Sequence, residues 1–221
     1  YTFNNPKPGV SDYFGYSVGM TADYAVVSTY QDESTGSDSG EVYVYDLSTG
    51  TLTYTLQNPN AYGTTATDWF GFSVAACGDY VIAGAKLEDD AGGTSSGKAY
   101  VFDLTDGSLL WTLDNPNNYN TSAGDLFGTS VGINNNFAIV GANDEDAIGG
   151  TSTGQVYIFN LADGTLYDTF DNPNVYGTTQ DDDFGFSVAL SAGGTYAITG
   201  AHQEDPNNDY NAGVAYIFKM T

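Results

Sequence analysis

The sequence predicts an all-β fold built from one unit repeated four times in tandem, and three observations carry that reading. Phe-Gly pairs stand at 14–15, 70–71, 127–128 and 184–185, spaced by 56, 57 and 57 residues. Asn-Pro pairs at 5–6, 58–59, 115–116 and 172–173 keep nearly the same period, as do Gly40, Gly97, Gly154 and Gly213, each opening an alternating aromatic run. No stretch holds an amphipathic helical period over about ten residues, whereas short runs rich in Val, Ile, Tyr, Phe and Thr recur between polar turns. Markers sharing one period mean duplication of a single supersecondary unit.

Each unit holds four strand signals in order. The first is an apolar run opened by the Phe-Gly phrase, as in "FGFSVAA" from Phe70. The second is "YVIAGA" from Tyr80, with counterparts "YAVVST", "FAIVGA" and "YAITGA". The third is "KAYVFDL" from Lys98, with "EVYVYDL", "QVYIFNL" and "VAYIFKM". The fourth is "LLWTLDNP" from Leu109, with "LTYTLQNP" and "LYDTFDNP". The third and fourth are joined by "STG", "TDG" or "ADG", hairpin turns in which Gly supplies positive φ. Four antiparallel strands repeated radially make a propeller blade, and a blade must stack on neighbours to bury its faces. The fold class is therefore a four-bladed antiparallel β-propeller: one domain over 1–221, with blades near 14–59, 70–116, 127–173 and 184–221. "YTFNNP" at Tyr1–Pro6 reads as a fourth strand without a blade, and the last unit lacks its fourth strand. Residues 1–5 are thus expected to complete the last blade and close the ring. The same arithmetic allows pairing with the next subunit, or a window cut from a longer array.

Composition narrows the function classes. With 221 residues there is material for a sizeable core. The 28 Asp and Glu against four Lys and no Arg give a net charge of −24. Such a surface repels nucleic acid and anionic lipid, which require Lys and Arg to neutralise phosphate. No apolar run approaches the roughly 20 residues of a membrane span. Cys77 and His202 are each the sole residue of their type, which excludes an internal disulfide and a zinc site of the usual His and Cys ligands. The expected setting is extracellular or surface-exposed.

The phrase "D-x-FG-x-SV", then "Y-x-I-x-GA", then "G-x-x-Y-V-F-D" resembles the FG-GAP type of β-propeller repeat, found in integrin α-subunit heads and in surface proteins of bacteria and their viruses. The likeness runs through all four units. Gly-Ala stands at 84–85, 141–142 and 200–201, where the family has "GAP". The resemblance implies a propeller that binds partners or builds extracellular structures, and it does not imply catalysis. The family's calcium loop, D-x-D-x-D-G-x-x-D, is absent from this sequence.

Candidate sites follow from the units. Phe14, Phe70, Phe127 and Phe184 are expected as core wedges between blades, with Gly15, Gly71, Gly128 and Gly185 allowing close backbone approach. The preceding acids Asp12, Asp68, Asp125 and Asp182 read as turn acids accepting backbone N–H groups, or as a carboxylate ring around a cation. After the second strand come the acidic pairs Asp32 and Glu33, Glu88 and Asp89, Glu145 and Asp146, Glu204 and Asp205. These are candidate Ca2+ ligands, since calcium takes six to eight oxygens and the loops add Gly, Ser, Thr and Asn; solvated acidic turns are the alternative. Asn120 opens an N-glycosylation sequon. Tyr62, Tyr119 and Tyr176 occupy equivalent loops, where they would pack on the adjacent blade or stack on a sugar or a neighbouring subunit. The function expected is a non-catalytic structural or interaction module of a larger assembly such as a filament, envelope or virion appendage, its partner a protein, including self-association. The alternatives are a calcium-dependent adhesin or carbohydrate-binding domain and, more distantly, a glycoside-processing enzyme.

Overall fold

The computed structural model describes residues 1–32, 37–60, 64–90, 93–116, 121–146, 150–173, 180–206 and 209–220. These residues form four antiparallel sheets in chain order, with no α-helix among them. The first sheet comprises β1 (Val18–Met20), β2 (Tyr24–Thr29), β3 (Glu41–Asp46) and β4 (Thr51–Gln57). The second holds β5 (Phe70–Cys77), β6 (Tyr80–Ala85), β7 (Lys98–Asp103) and β8 (Leu109–Asp114). The third holds β9 (Phe127–Ile133), β10 (Phe137–Ala142), β11 (Gln155–Asn160) and β12 (Leu166–Asp171). The last holds β13 (Phe184–Leu190), β14 (Tyr196–Ala201) and β15 (Val214–Lys219). Strand order within each sheet follows the chain, as the four-strand reading requires. The hairpin glycines Gly50, Gly107 and Gly164 have φ of 72°, 77° and 72°, so the turn expectation holds.

The sheets stack face to face, and one apolar core lies between each consecutive pair. Val26, Val44 and Leu56 meet Phe70, Tyr100 and Phe102 between the first two sheets. Ile82, Val101 and Leu113 meet Phe127, Tyr157 and Phe159 between the second and third. Ile139 and Ile158 meet Phe184, Tyr216 and Phe218 between the third and fourth. This arrangement explains the central strands: β7 and β11 are buried on both faces because each has a sheet on either side.

The Phe-Gly phrase is the hinge of every junction. Phe70 pairs with Ala85, but the next pair is Ser73 with Gly84, so Gly71 and Phe72 bulge out of the ladder. The fourth sheet has the same shift between Phe184 and Ser187. The bulge turns each Phe into the gap between sheets, where Phe70, Phe127 and Phe184 are fully buried. Their backbone N–H groups donate across the gap to Ser39, Ser96 and Thr153 carbonyls, at 3.0, 2.9 and 3.2 Å. A Cβ on Gly40, Gly97 or Gly154 would stand 2.0, 2.0 or 1.9 Å from the carbonyl oxygen of the next sheet's Phe. Only glycine admits that approach, which is why each third strand opens with one.

Two expectations need correction. Residues 1–5 form no strand, and β15 is the edge of a three-stranded sheet. The N-terminal segment lies instead on the first sheet, with Phe3 stacked on Tyr45 at 4.2 Å between ring centroids. Phe14, expected as a buried wedge, is only half-buried, and β1 starts four residues after it. Among the described residues no sheet lies before Phe14 to accept its N–H, and no third strand lies beside residues 1–5. Among the described residues Val18 at 64% and Met20 at 70% are exposed on the first sheet and Ile217 at 69% on the last, while Tyr43 and Tyr45 of the first sheet are buried beside Phe3 and Phe14.

The glycine contact generates a stability prediction. Gly97→Ala is expected to cost roughly 3 kcal/mol or more in urea unfolding, because backbone must move. Gly124→Ala, at a similar φ of 85° but with nothing within 4 Å, is expected to cost about 1–2 kcal/mol. Equal costs at the two positions would remove the close-approach explanation.

Candidate functional site

Between consecutive sheets the chain crosses from the outer edge of one to the inner edge of the next, and the same polar link fastens each crossing. The side-chain amide of the Asn-Pro asparagine donates to the acid that opens the next phrase. Asn58 reaches Asp68, Asn115 reaches Asp125 and Asn172 reaches Asp182, each at 2.8 Å. Asn5 reaches Asp12 at 2.6 Å although no sheet precedes it. All four acids are buried. A backbone N–H, that of Gly9, donates to Asp12, while the side-chain partner common to every copy is an asparagine amide.

The acidic pairs after the second strands are split by the fold. The first acid of each pair turns inward: Asp32, Glu88, Glu145 and Glu204 are buried. Each accepts from the hydroxyl of a third-strand tyrosine. Tyr100 donates to Glu88, Tyr157 to Glu145 and Tyr216 to Glu204 at 2.5 Å, and Tyr43 to Asp32 at 3.4 Å. The second acid serves its own loop: Asp89 accepts the N–H of Ser95, Asp146 that of Ser152 and Asp205 that of Asn211, at 2.9, 3.1 and 2.6 Å. Glu33 lies outside the described residues, as do Asn120, Tyr62, Tyr119 and Tyr176. Among the described residues no group of three or more His, Cys, Asp or Glu is placed to hold a metal ion.

Burial raises several of these carboxyls above their usual range. Burial, then the charges of Glu88 and Asp89, pushes Asp68 up to about 7. Burial likewise carries Asp125 to about 7, against the lowering effect of the Asn115 amide. Asp182 rises to about 6 through burial and Glu204. Burial lifts Glu145 to about 8 despite the Tyr157 hydroxyl, and Asp125 adds to the rise. The Tyr157 hydroxyl is itself pushed up by burial and by Glu145, so it remains a donor.

A second feature was not read from the sequence. The residues flanking Phe-Gly differ among copies, and in the first two they are aromatic. Tyr13 and Trp69 sit in left-handed backbone at φ of 56° and 57°, which tips them out of the sheet. With Tyr16, Phe72 and Tyr30 they make one aromatic face: Tyr16 and Tyr30 are 4.4 Å apart, Tyr30 and Trp69 5.1 Å. The Lys86 ammonium lies 3.7 Å from the centre of the Phe72 ring. Burial lowers the Lys86 pKa, partly offset by Asp144. On the fourth sheet the equivalent positions bring Phe186 against His202 at 4.1 Å, with Asp183 3.6 Å from His202 Nδ1. The signal was present as variation at fixed positions within an otherwise constant phrase.

A protein-family model described as FG-GAP repeat matches residues 8–45, 60–102, 119–159 and 177–218. Each match runs from just before the opening acid to the third strand, so it captures the Phe wedge, the inward acid and its tyrosine. No curated protein matches the chain.

The buried acids set the pH dependence. Unfolded, they titrate near 4, and folding raises them. Their contribution to stability is therefore complete below about pH 4 and is lost as pH climbs through about 6 to 8, where the folded groups must ionise in the core. Calorimetry is expected to show Tm falling steadily from pH 5 to pH 8.5, with the slope reduced in Glu145→Gln. A Tm that rises over that range would contradict the assignment.

Proposed function

The chain belongs to the FG-GAP repeat family, and from that premise we propose that it is a non-catalytic β-propeller module that holds a larger extracellular assembly together. One observation carries the reading: among the described residues, large apolar side chains stand exposed on the first sheet, Val18 and Met20, and on the last, Ile198 and Ile217. Monomeric proteins rarely expose contiguous apolar patches of this kind unless they bind something. The net charge of −24 keeps such a surface soluble through repulsion and makes its contacts sensitive to salt. The inward carboxylates are engaged with tyrosine and asparagine side chains inside the core, which supports a non-catalytic role.

A second reading, glycan binding, is favoured by the aromatic face of Tyr13, Tyr16, Tyr30, Trp69 and Phe72, in which Tyr13 and Tyr16 are exposed and the other three half-buried, since aromatic rings with one apolar face free stack well on sugar rings.

The two readings are tested separately. Sedimentation velocity across a concentration series, at about 0.15 M salt where the Debye length is about 8 Å, is expected to show association that grows with concentration. A single monomer boundary at every concentration and salt would refute the assembly reading. Titration with oligosaccharides is expected to change Trp69 fluorescence if glycans bind, and Tyr30→Ala to abolish that change. An unresponsive Trp69 signal, with Trp111 removed as Trp111→Phe, would end the second reading.

A further inference from the structure

We propose that a neutral sugar ring binds where the second sheet meets the third, beside Trp69 and Phe72, with its hydroxyl groups shared among Lys86, Asn143 and Asp144. This rests on the glycan reading and names the polar end of that site and the class of its ligand.

The first argument is a gap in a repeated pairing. Tyr30, Lys86, Asn143 and His202 each follow the second strand of their sheet. Three of them lie against the aromatic ring two places after the Phe-Gly phenylalanine. Tyr30 meets Tyr16 at 4.4 Å and His202 meets Phe186 at 4.1 Å between ring centroids, and the Lys86 ammonium stands 3.7 Å from the centre of Phe72. In the third sheet that place belongs to Thr129, which is buried and donates its hydroxyl to the Leu126 carbonyl at 2.8 Å. Asn143 therefore lacks the ring that its counterparts rest on. The gap adjoins the aromatic face through Lys86, which rests on Phe72 and is acted on by the charge of Asp144, the residue after Asn143. There Trp69 and Phe72 lie within 16° of parallel, 5.9 Å apart, with Tyr30 edge-on to both. A pyranose suits such a place, since its C–H face packs on apolar rings and its hydroxyls need a few convergent polar groups.

The second argument is polar groups without partners. Asn143 is 6% exposed. Its amide donates to Asp144 at 2.7 Å, and its carbonyl oxygen is buried with no hydrogen-bond partner. Turning the amide round would set that oxygen against the Asp144 carboxylate, so the orientation is fixed. A buried acceptor left unmade destabilises the chain, and a ligand hydroxyl that donates to it recovers the loss. The oxygen is closed to solvent, so the hydroxyl reaches it as a neighbouring side chain shifts. Lys86 is held by the rings of Phe72 and Trp69, and among the described residues no carboxylate stands within 4.0 Å of its ammonium. Burial lowers the Lys86 pKa and raises that of Asp144, so both charges are short of solvent and are not in contact with each other. A sugar hydroxyl bridges them, accepting from the ammonium and donating to the carboxylate.

The third argument is charge. Asp183, which also acts on Asp144, is taken up by Gln203 and His202. What remains beside the rings is one ammonium and one carboxylate, a pair that selects neither an anion nor a cation. The chain as a whole carries −24, which repels a sugar acid, and Lys86 repels a sugar amine. A neutral sugar satisfies both groups at once.

The test follows Trp69 emission in the full chain on a Trp111→Phe background, with melting curves confirming that each variant folds. The probes are the neutral trisaccharides of glucose, mannose and galactose, with trigalacturonic acid and the glucosamine trimer as charged counterparts. At least one neutral trisaccharide is expected to bind, and both charged trimers more weakly. Lys86→Met keeps the stem on Phe72, Asn143→Leu keeps the volume, and Asp144→Asn removes the charge. Each is expected to raise the half-saturation concentration about tenfold, the worth of one hydrogen bond. Monodeoxy forms of the bound trisaccharide supply a readout that a merely structural role would not move. One of them is expected to bind the parent chain about tenfold more weakly than the intact sugar, and Asp144→Asn no more weakly. Unchanged midpoints in all three variants would overturn this site while leaving the glycan reading intact. A charged trimer that binds as tightly as the neutral sugars would overturn the ligand class. A Trp69 signal that answers none of the probes would take down both readings.

Discussion

The structure depends on how closely the backbone of one sheet can approach the next. At each junction the carbonyl of the wedge phenylalanine lies about where a Cβ on Gly40, Gly97 or Gly154 would be, within 2.0 Å. That approach brings the phenylalanine N–H onto the preceding loop and drives the ring into the gap. If a methyl group were placed there, the sheets would separate and the ring and the hydrogen bond across the gap would each lose their partner. The tyrosine–acid pairs lie within single sheets, and Tyr216 holds Glu204 at 2.5 Å although no carbonyl of another sheet presses on Gly213. The repeated motif is therefore a spacing device, and its phenylalanine is useful because its glycines permit it to be.

The fold was legible because its determinants are periodic. Three markers in phase gave the number of sheets, the alternation gave four strands per unit, and "STG", "TDG" and "ADG" gave the hairpins, whose glycines do adopt positive φ. What periodicity could not give was the behaviour of the ends. The reading of Tyr1–Pro6 as a fourth strand rested on its resemblance to "LTYTLQNP", and the segment does contact its following sheet as that strand does. Strand character, however, comes from hydrogen bonding to a third strand, and among the described residues none lies beside it. Phe14 illustrates the same point, since an identical motif gives a buried wedge or a half-exposed ring according to whether a sheet precedes it.

The candidate site was less legible for a different reason. In a loop, adjacent acids need not face the same way. Glu145 turned toward Tyr157 while Asp146 capped its own loop at Ser152, and no spacing rule separates these outcomes. The aromatic face escaped because it is built from positions where the copies disagree: Tyr13, Trp69, Leu126 and Asp183 occupy one place in the motif. A search for repetition discards variation at such places, although functional differences between repeats are carried there.

Consider finally that each sheet touches only the sheets before and after it. Stability in such an array is a sum over neighbours, so sheets of nearly identical sequence are not equally held. The second and third are clasped on both faces and the first and fourth on one. Protection is therefore graded along these strands, greatest in β7 and β11, which are buried on both faces, and least in β14 and β15.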